Sequence, residues 1–108
     1  MALKPDSKIL NNIKKLIKTL AKQNIHIEKA YLFGSYANGT SKEYSDIDLA
    51  LVSKNFKGNR FLDKQIINPI SLKIDSRFEI HPYKTEEFNE NVRWFTKEIT
   101  EHGIEIMP

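Results

Sequence analysis

Two short stretches of this chain carry residue types that do chemistry together. The first is Leu32-Phe33-Gly34-Ser35-Tyr36-Ala37-Asn38-Gly39, an apolar segment that runs into a glycine-serine turn. The second is Asp46-Ile47-Asp48, at the head of the apolar run Leu49-Ala50-Leu51-Val52. A strand sends alternate side chains to opposite faces, so Asp46 and Asp48 share one face and Ile47 takes the other. Carboxylates held that close repel each other, and an apolar strand keeps such a pair when a cation sits between them. Oxygen ligands suit a hard divalent ion, which makes Mg²⁺ the expected metal.

The glycine-serine turn supplies a complementary feature. Where a strand turns into a helix, the first backbone N–H groups have no intrahelical partner and the helix dipole adds partial positive charge. Gly34 lets the backbone come close to an anion and Ser35 adds a hydroxyl donor. The pair reads as a phosphate seat, or else as a plain tight connection between strand and helix. Phosphoryl chemistry also calls for a third carboxylate, either to hold a second metal or to take a proton from the attacking hydroxyl. Glu79 is the candidate and Asp75 the alternative; an ion pair with a neighbouring strand, Arg77 or Lys84 is the structural reading of Glu79. Arg77 suits either a phosphate or a surface salt bridge. His26, His81 and His102 are too dispersed for a ligand set, although His81 falls on the same strand face as Glu79 and is expected there in a non-catalytic role. Trp94 and Phe95 read as core or interface.

These residues must be positioned by a small set of elements. Ile9, Leu10, Ile13, Leu16, Ile17 and Leu20 recur at spacings of three and four, which predicts a helix over 7–23, capped by Asp6 or Ser7 and ended by Gln23-Asn24. Strands are expected at 28–33 and 46–52, with a short helix from Ser35 to about Gly39 after the first. A helix over 60–68 should be interrupted by Pro69, and 70–74 is ambiguous because Ile70, Leu72 and Ile74 alternate. A third strand is expected over 77–81, with Phe78 and Ile80 on one side, Arg77, Glu79 and His81 on the other, and Pro82 as its end. Thr85 reads as a cap, a final helix is expected over 91–102 up to Gly103, and Ile104–Met107 as an edge strand. The alternation of helix and strand predicts an α/β or α+β fold, a sheet with helices packed on it, in a single domain spanning 1–108.

At this point the residues resemble a known family. Gly34-Ser35, Gly39 and Ser45-Asp46-Ile47-Asp48-Leu49 resemble the motif of the polymerase-beta-like nucleotidyltransferases. The length is similar to that of the minimal nucleotidyltransferase proteins, and the resemblance runs from Tyr31 to about His81. It implies the nucleotidyltransferase fold, a small mixed sheet with helices packed on it. It implies that Gly34 and Ser35 hold a nucleoside triphosphate, that Asp46 and Asp48 bind Mg²⁺, and that Glu79 completes a site with two ions during turnover. The implied reaction moves a nucleoside monophosphate, AMP from ATP, to an acceptor hydroxyl and releases pyrophosphate. Arg77-Phe78-Glu79-Ile80-His81-Pro82 looks like a branch of the group with Glu where other members carry Asp, one methylene longer. Small members of the family act beside a HEPN-domain protein as the antitoxin of a toxin–antitoxin pair, and some are thought to adenylylate that partner. The alternative is a binding module with weak catalysis that neutralises a HEPN-type partner by covering it. The absence of a second, substrate-gripping domain favours completion of the site by another chain, as a homo-oligomer or a hetero-complex.

Bulk properties remove other classes. There is no cysteine, which excludes disulfides, zinc-thiolate centres and thiol catalysis. No apolar run approaches the ~20 residues that span a bilayer, and the N-terminal residues lack the apolar core of a signal peptide, so a cytoplasmic protein is expected. A net charge of +3, from 17 basic and 14 acidic residues, is too mild to argue for nucleic acid as the partner. Lys8, Lys14, Lys15, Lys18 and Lys22 read as the solvated face of the first helix.

Overall fold

The computed structural model describes residues 7–34, 46–88 and 103–106. They form, in order, α1 (Ser7–Lys22), β1 (Lys29–Phe33), β2 (Ile47–Ser53), α2 (Arg60–Ile74), β3 (Phe78–Lys84) and β4 (Ile104–Ile106). The expected helices after Ser35 and over 91–102 lie outside the described residues, as do His102, Trp94 and Phe95. Among the described residues no helix is long and apolar enough to cross a membrane.

The apolar periodicity of α1 buries Ile9, Ile13, Leu16, Ile17 and Leu20 and leaves its lysines exposed. The helix closes at Asn24, which takes the left-handed conformation (φ +64°), while the Ile25 N–H reaches back to the Leu20 carbonyl at 2.9 Å. Asparagine tolerates that conformation and so ends helices cleanly.

The sheet is mixed, in the order β3-β2-β1-β4. β1 runs antiparallel to β2 and β4, and β2 runs parallel to β3. β2 is therefore central, as its apolar run requires. The two faces of the sheet differ. Ala30, Leu32, Ile47, Leu49, Leu51, Phe78 and Ile80 pack with α1 and α2 into the main core. The other face carries Tyr31, Ala50, Val52 and Tyr83, covered in part by Phe33 and Phe88. By the same alternation Asp48, Glu79 and His81 belong to this second face.

Two prolines behave differently from the expectation. α2 does not stop at Pro69 but runs on to Ile74. Pro69 is exposed, so the carbonyl that loses its N–H partner at that turn is open to water. Ile67 and Ser71 are buried, and Ile70 and Ile74 pack against the core, which is a helical period; the alternation over 70–74 is incidental. β3 likewise continues through Pro82 to Lys84. It is an edge strand among the described residues, where a missing N–H need not interrupt a ladder. Thr85 does not cap the turn that follows. Its hydroxyl donates to Glu28 Oε2 at 2.6 Å, and the Glu87 carboxylate accepts the Lys84 N–H at 3.1 Å.

The loop between β2 and α2 is pinned by a buried acid. Asp63 is 3% exposed, and its carboxylate accepts the N–H groups of Lys57 at 2.8 Å and Gly58 at 3.2 Å. Asn59 caps the helix by accepting the Leu62 N–H at 3.1 Å. These bonds fix the start of α2 beside β3 and so set the position of the side chains on its first two turns.

Candidate active site

β1 delivers Gly34 to the end of the sheet at which β2 begins. Phe33 is the register partner of Asp48, so Gly34 arrives directly beside that carboxylate. Gly34 has φ +75°, a conformation costly for any residue with a side chain. A Cβ placed there would lie 2.5 Å from Asp48 Oδ2. Both the conformation and the space require glycine at this position. Ser35 lies outside the described residues.

Asp48 sits near the head of the central strand, partly buried. Its neighbour across the parallel pairing is Glu79, and Ala50 pairs with His81 one step on. His81 Nε2 lies 3.4 Å from Asp48 Oδ1, and the imidazole also packs edge-on against Phe33 with ring centroids 5.0 Å apart. Burial pushes the Asp48 carboxyl above the ordinary carboxylate range; the His81 hydrogen bond draws it back, and the charges of Asp46 and Glu79 push it up again. The imidazole is itself held below its ordinary value, first by burial, with Asp48 pulling the other way. The charges of Asp46 and Glu79 thus both act on Asp48. Asp46 stands one residue before β2 and is exposed, not the first residue of the strand.

Glu79 faces the same side but is half exposed (49%), and its Oε1 lies 3.6 Å from Lys64 Nζ. The ion pair anticipated as its structural alternative therefore exists, with a helix residue as partner instead of Arg77, Lys84 or a strand neighbour. Asp75, the other candidate for the third position, is committed elsewhere. It accepts from the Arg77 N–H at 3.0 Å, from Arg77 Nε at 3.1 Å and Nη2 at 2.9 Å, and from Asn12 Nδ2 at 3.3 Å. The Arg77 guanidinium holds the Asp75 carboxyl below the usual range. Arg77 thus serves in a local salt bridge with Asp75, and the Asn12 bond ties the end of α2 to α1.

The carboxylates are hard oxygen donors, the chemistry a divalent cation requires, and the missing Cβ of Gly34 lets the Asp48 carboxylate pack against the turn. As the side chains are oriented, no three His, Asp or Glu groups among the described residues gather around a single point. His81 occupies Asp48 and Lys64 occupies Glu79. Neither partner was assigned from the sequence. His81 could have been found from its shared strand face, but Lys64 carries no sequence signal, since only the packing of α2 against β3 brings it there.

Beyond the acids the same face is aromatic. Tyr31 stacks on Phe88 at 5.3 Å and Tyr83 meets Phe88 edge-on at 5.2 Å. The Arg60 guanidinium lies 4.9 Å from the Tyr83 ring centroid. Cations from the first two turns of α2, Arg60 and Lys64, thus border this face along the β3 edge.

The chain is similar to known proteins. A protein of Methanocaldococcus jannaschii that carries the name "Putative protein adenylyltransferase" is 37% identical over 78 residues, which is 70% of this chain and 53% of that protein. The chain therefore spans about half the length of this relative. A crystal structure described as a "putative nucleotidyltransferase" from Sulfolobus solfataricus superimposes with a TM-score of 0.63 at 22% identity, over 94% of this chain and 87% of that one, and shares the fold. The family described as "Polymerase beta, Nucleotidyltransferase" matches residues 14–108, from the middle of α1 past β4, and this chain belongs to it.

Proposed function

We propose that this protein transfers a nucleoside monophosphate, AMP from ATP, to a hydroxyl group on an acceptor protein. One observation carries the reading: a single carboxylate, Asp48, is partly buried at the head of the central strand, packed against a glycine, and feels the charges of both Asp46 and Glu79. A fold maintains such repulsion where a bound cation relieves it. The name carried by the Methanocaldococcus jannaschii relative supports both the nucleotide and a protein acceptor.

In this reading Gly34 and Ser35 seat the triphosphate on backbone N–H groups and a hydroxyl. Asp46, Asp48 and Glu79 would hold Mg²⁺, two ions during turnover. The metal, when bound, neutralises the charge of the triphosphate and of the leaving pyrophosphate. The acceptor oxygen forms a bond to the α-phosphorus as the bond to the β-phosphate bridge breaks. Glu79 would take the proton the acceptor gives up. The acceptor is a HEPN-type protein, which this chain would neutralise as the antitoxin of a pair.

The test is incubation with ATP labelled on its α-phosphate, Mg²⁺ and the protein encoded by the adjacent gene. Label should move to protein, and Asp46→Ala with Asp48→Ala should abolish the transfer. Transfer that survives the double variant would refute this site as the catalyst.

A second reading has its own observation. Glu79 is held by Lys64 and Asp48 by His81, so the acids do not converge as they stand. Neutralisation of the partner by coverage alone would then suffice. Neutralisation that persists in the double variant favours coverage; its loss with the complex intact favours transfer.

A further inference from the structure

The outward face of α2 is apolar. Phe61 is 69% exposed and Leu72 49%, and Leu62 and Ile66 are also exposed. With Pro69 they recur along one side of the helix, opposite the inward Asp63, Ile67 and Ser71. Isolated apolar residues on a surface are ordinary, but a contiguous stripe marks a binding surface. The stripe does not end on flat surface. Ile66 also lines a cavity of about 290 Å³ together with Asn24, Ile25 and Phe56, between the end of α1 and the loop before α2.

The charges around the stripe select its occupant. α1 carries five lysines and no acidic residue. On α2, Lys73 adds to this charge, Arg60 and Lys64 turn instead to Tyr83 and Glu79, and the one acid, Asp63, is buried and spent on backbone N–H groups. The two helices lie on one side of the sheet, so this side presents apolar surface in a basic frame. A second copy bound across a two-fold axis would set lysines against lysines. A nucleic-acid backbone would satisfy the lysines but has no use for exposed Phe, Leu and Ile.

We infer that the outer face of α2 docks an amphipathic helix of a partner protein, with apolar residues on the stripe and acidic residues against the α1 lysines and Lys73 beside it. No residue of the stripe belongs to the candidate active site, so peptide binding and nucleotidyl transfer are read separately.

The probe is a fluorescein-labelled amphipathic helical peptide with leucine on one face and glutamate on the other, compared with its glutamate-to-lysine counterpart by fluorescence anisotropy. The acidic peptide should bind saturably, weaken as salt rises, and lose roughly tenfold or more in affinity with Ile66→Glu. Phe61→Ser, at the most exposed position, gives the same loss with less risk to the fold, which circular dichroism checks. Absent binding, equal binding of the lysine peptide, or indifference to both variants would overturn the inference. So would a dimer in sedimentation equilibrium that Ile66→Glu dissociates, which would make the occupant a second copy. Displacement of the peptide by an RNA oligonucleotide, with RNA binding lost in the same variants, would make it nucleic acid.

Discussion

Asp48 and Glu79 are register partners on adjacent parallel strands, yet each carboxylate has taken a different neighbour: His81 Nε2 at 3.4 Å for Asp48, Lys64 Nζ at 3.6 Å for Glu79. The backbone fixes the two acids side by side. Strand register therefore sets their spacing, while packing decides which partner each side chain takes.

That division predicts how Glu79 responds to substitution. The Lys64–Glu79 pair is substantially exposed, at 33% and 49%, and pairs of that kind contribute about 0–1 kcal/mol. Glu79→Gln and Lys64→Met should each shift the unfolding free energy in urea by less than about 1 kcal/mol. Glu79→Gln should nevertheless lower AMP transfer by roughly a hundredfold, in the range for loss of a general base. A variant that loses stability but keeps transfer would make Glu79 a structural residue.

Asp48→Asn should have the opposite signature. Burial raises the native Asp48 carboxyl above its unfolded value, so the native state binds this proton more tightly. The contribution of this group to stability is then fully present at low pH and is lost as pH rises through the native pKa. At pH 7 the ionised Asp48 is a net liability, and removing its charge should leave the protein as stable as before or more so, with transfer abolished. Urea denaturation at pH 7 and at acid pH checks the sign: the gain should fade as pH falls and Asp48 protonates. Marked destabilisation by Asn at pH 7 would contradict it.

Gly34→Ala should damage both fold and site. The left-handed φ of +75° costs a non-glycine residue roughly 1–2 kcal/mol, and the added Cβ would displace Asp48 Oδ2, 2.5 Å away. Thermal unfolding should fall, and transfer should fall further than the lost stability explains. Transfer at the level of the unmodified protein would show that the Asp48 carboxylate tolerates displacement.

Away from the site, Asp75→Asn tests the tie between α2 and α1. Arg77 holds the native Asp75 carboxyl below its unfolded value, so its stabilisation is present above the unfolded pKa and is lost as pH falls towards the native one. The substitution should destabilise by roughly 1.5–3 kcal/mol at pH 7, the range for hydrogen bonds to charged groups, and by progressively less in acid. Transfer per folded molecule should not change. An equal loss at both pH values would assign the effect to packing.

Much of the fold follows from patterns visible in the chain. The apolar period of α1, the apolar run of β2 and the alternation of Phe78 and Ile80 against Glu79 and His81 each specify an element and the face it buries. The prolines misled for one reason. Pro69 breaks a helix only if the freed carbonyl is buried, and Pro82 ends a strand only if its N–H would have been used. Exposure of one and the edge position of the other are properties of the assembled sheet.

The chemical positions divide in the same way. Residue type and a spacing of two place Asp46 and Asp48 together, and a glycine where a strand must turn marks Gly34, because both are local consequences of backbone geometry. Which acid stands beside them is a non-local matter. Parallel pairing of β2 with β3 put Glu79 next to Asp48, whereas three bonds from Arg77 drew Asp75 to the other side. The chain by itself determined which acids and which glycine stand at this end of the sheet; only the tertiary structure assigned Lys64 and His81 as their neighbours, since side chains distant in sequence acquire a distance, and hence an energy, only when the sheet and its helices have packed.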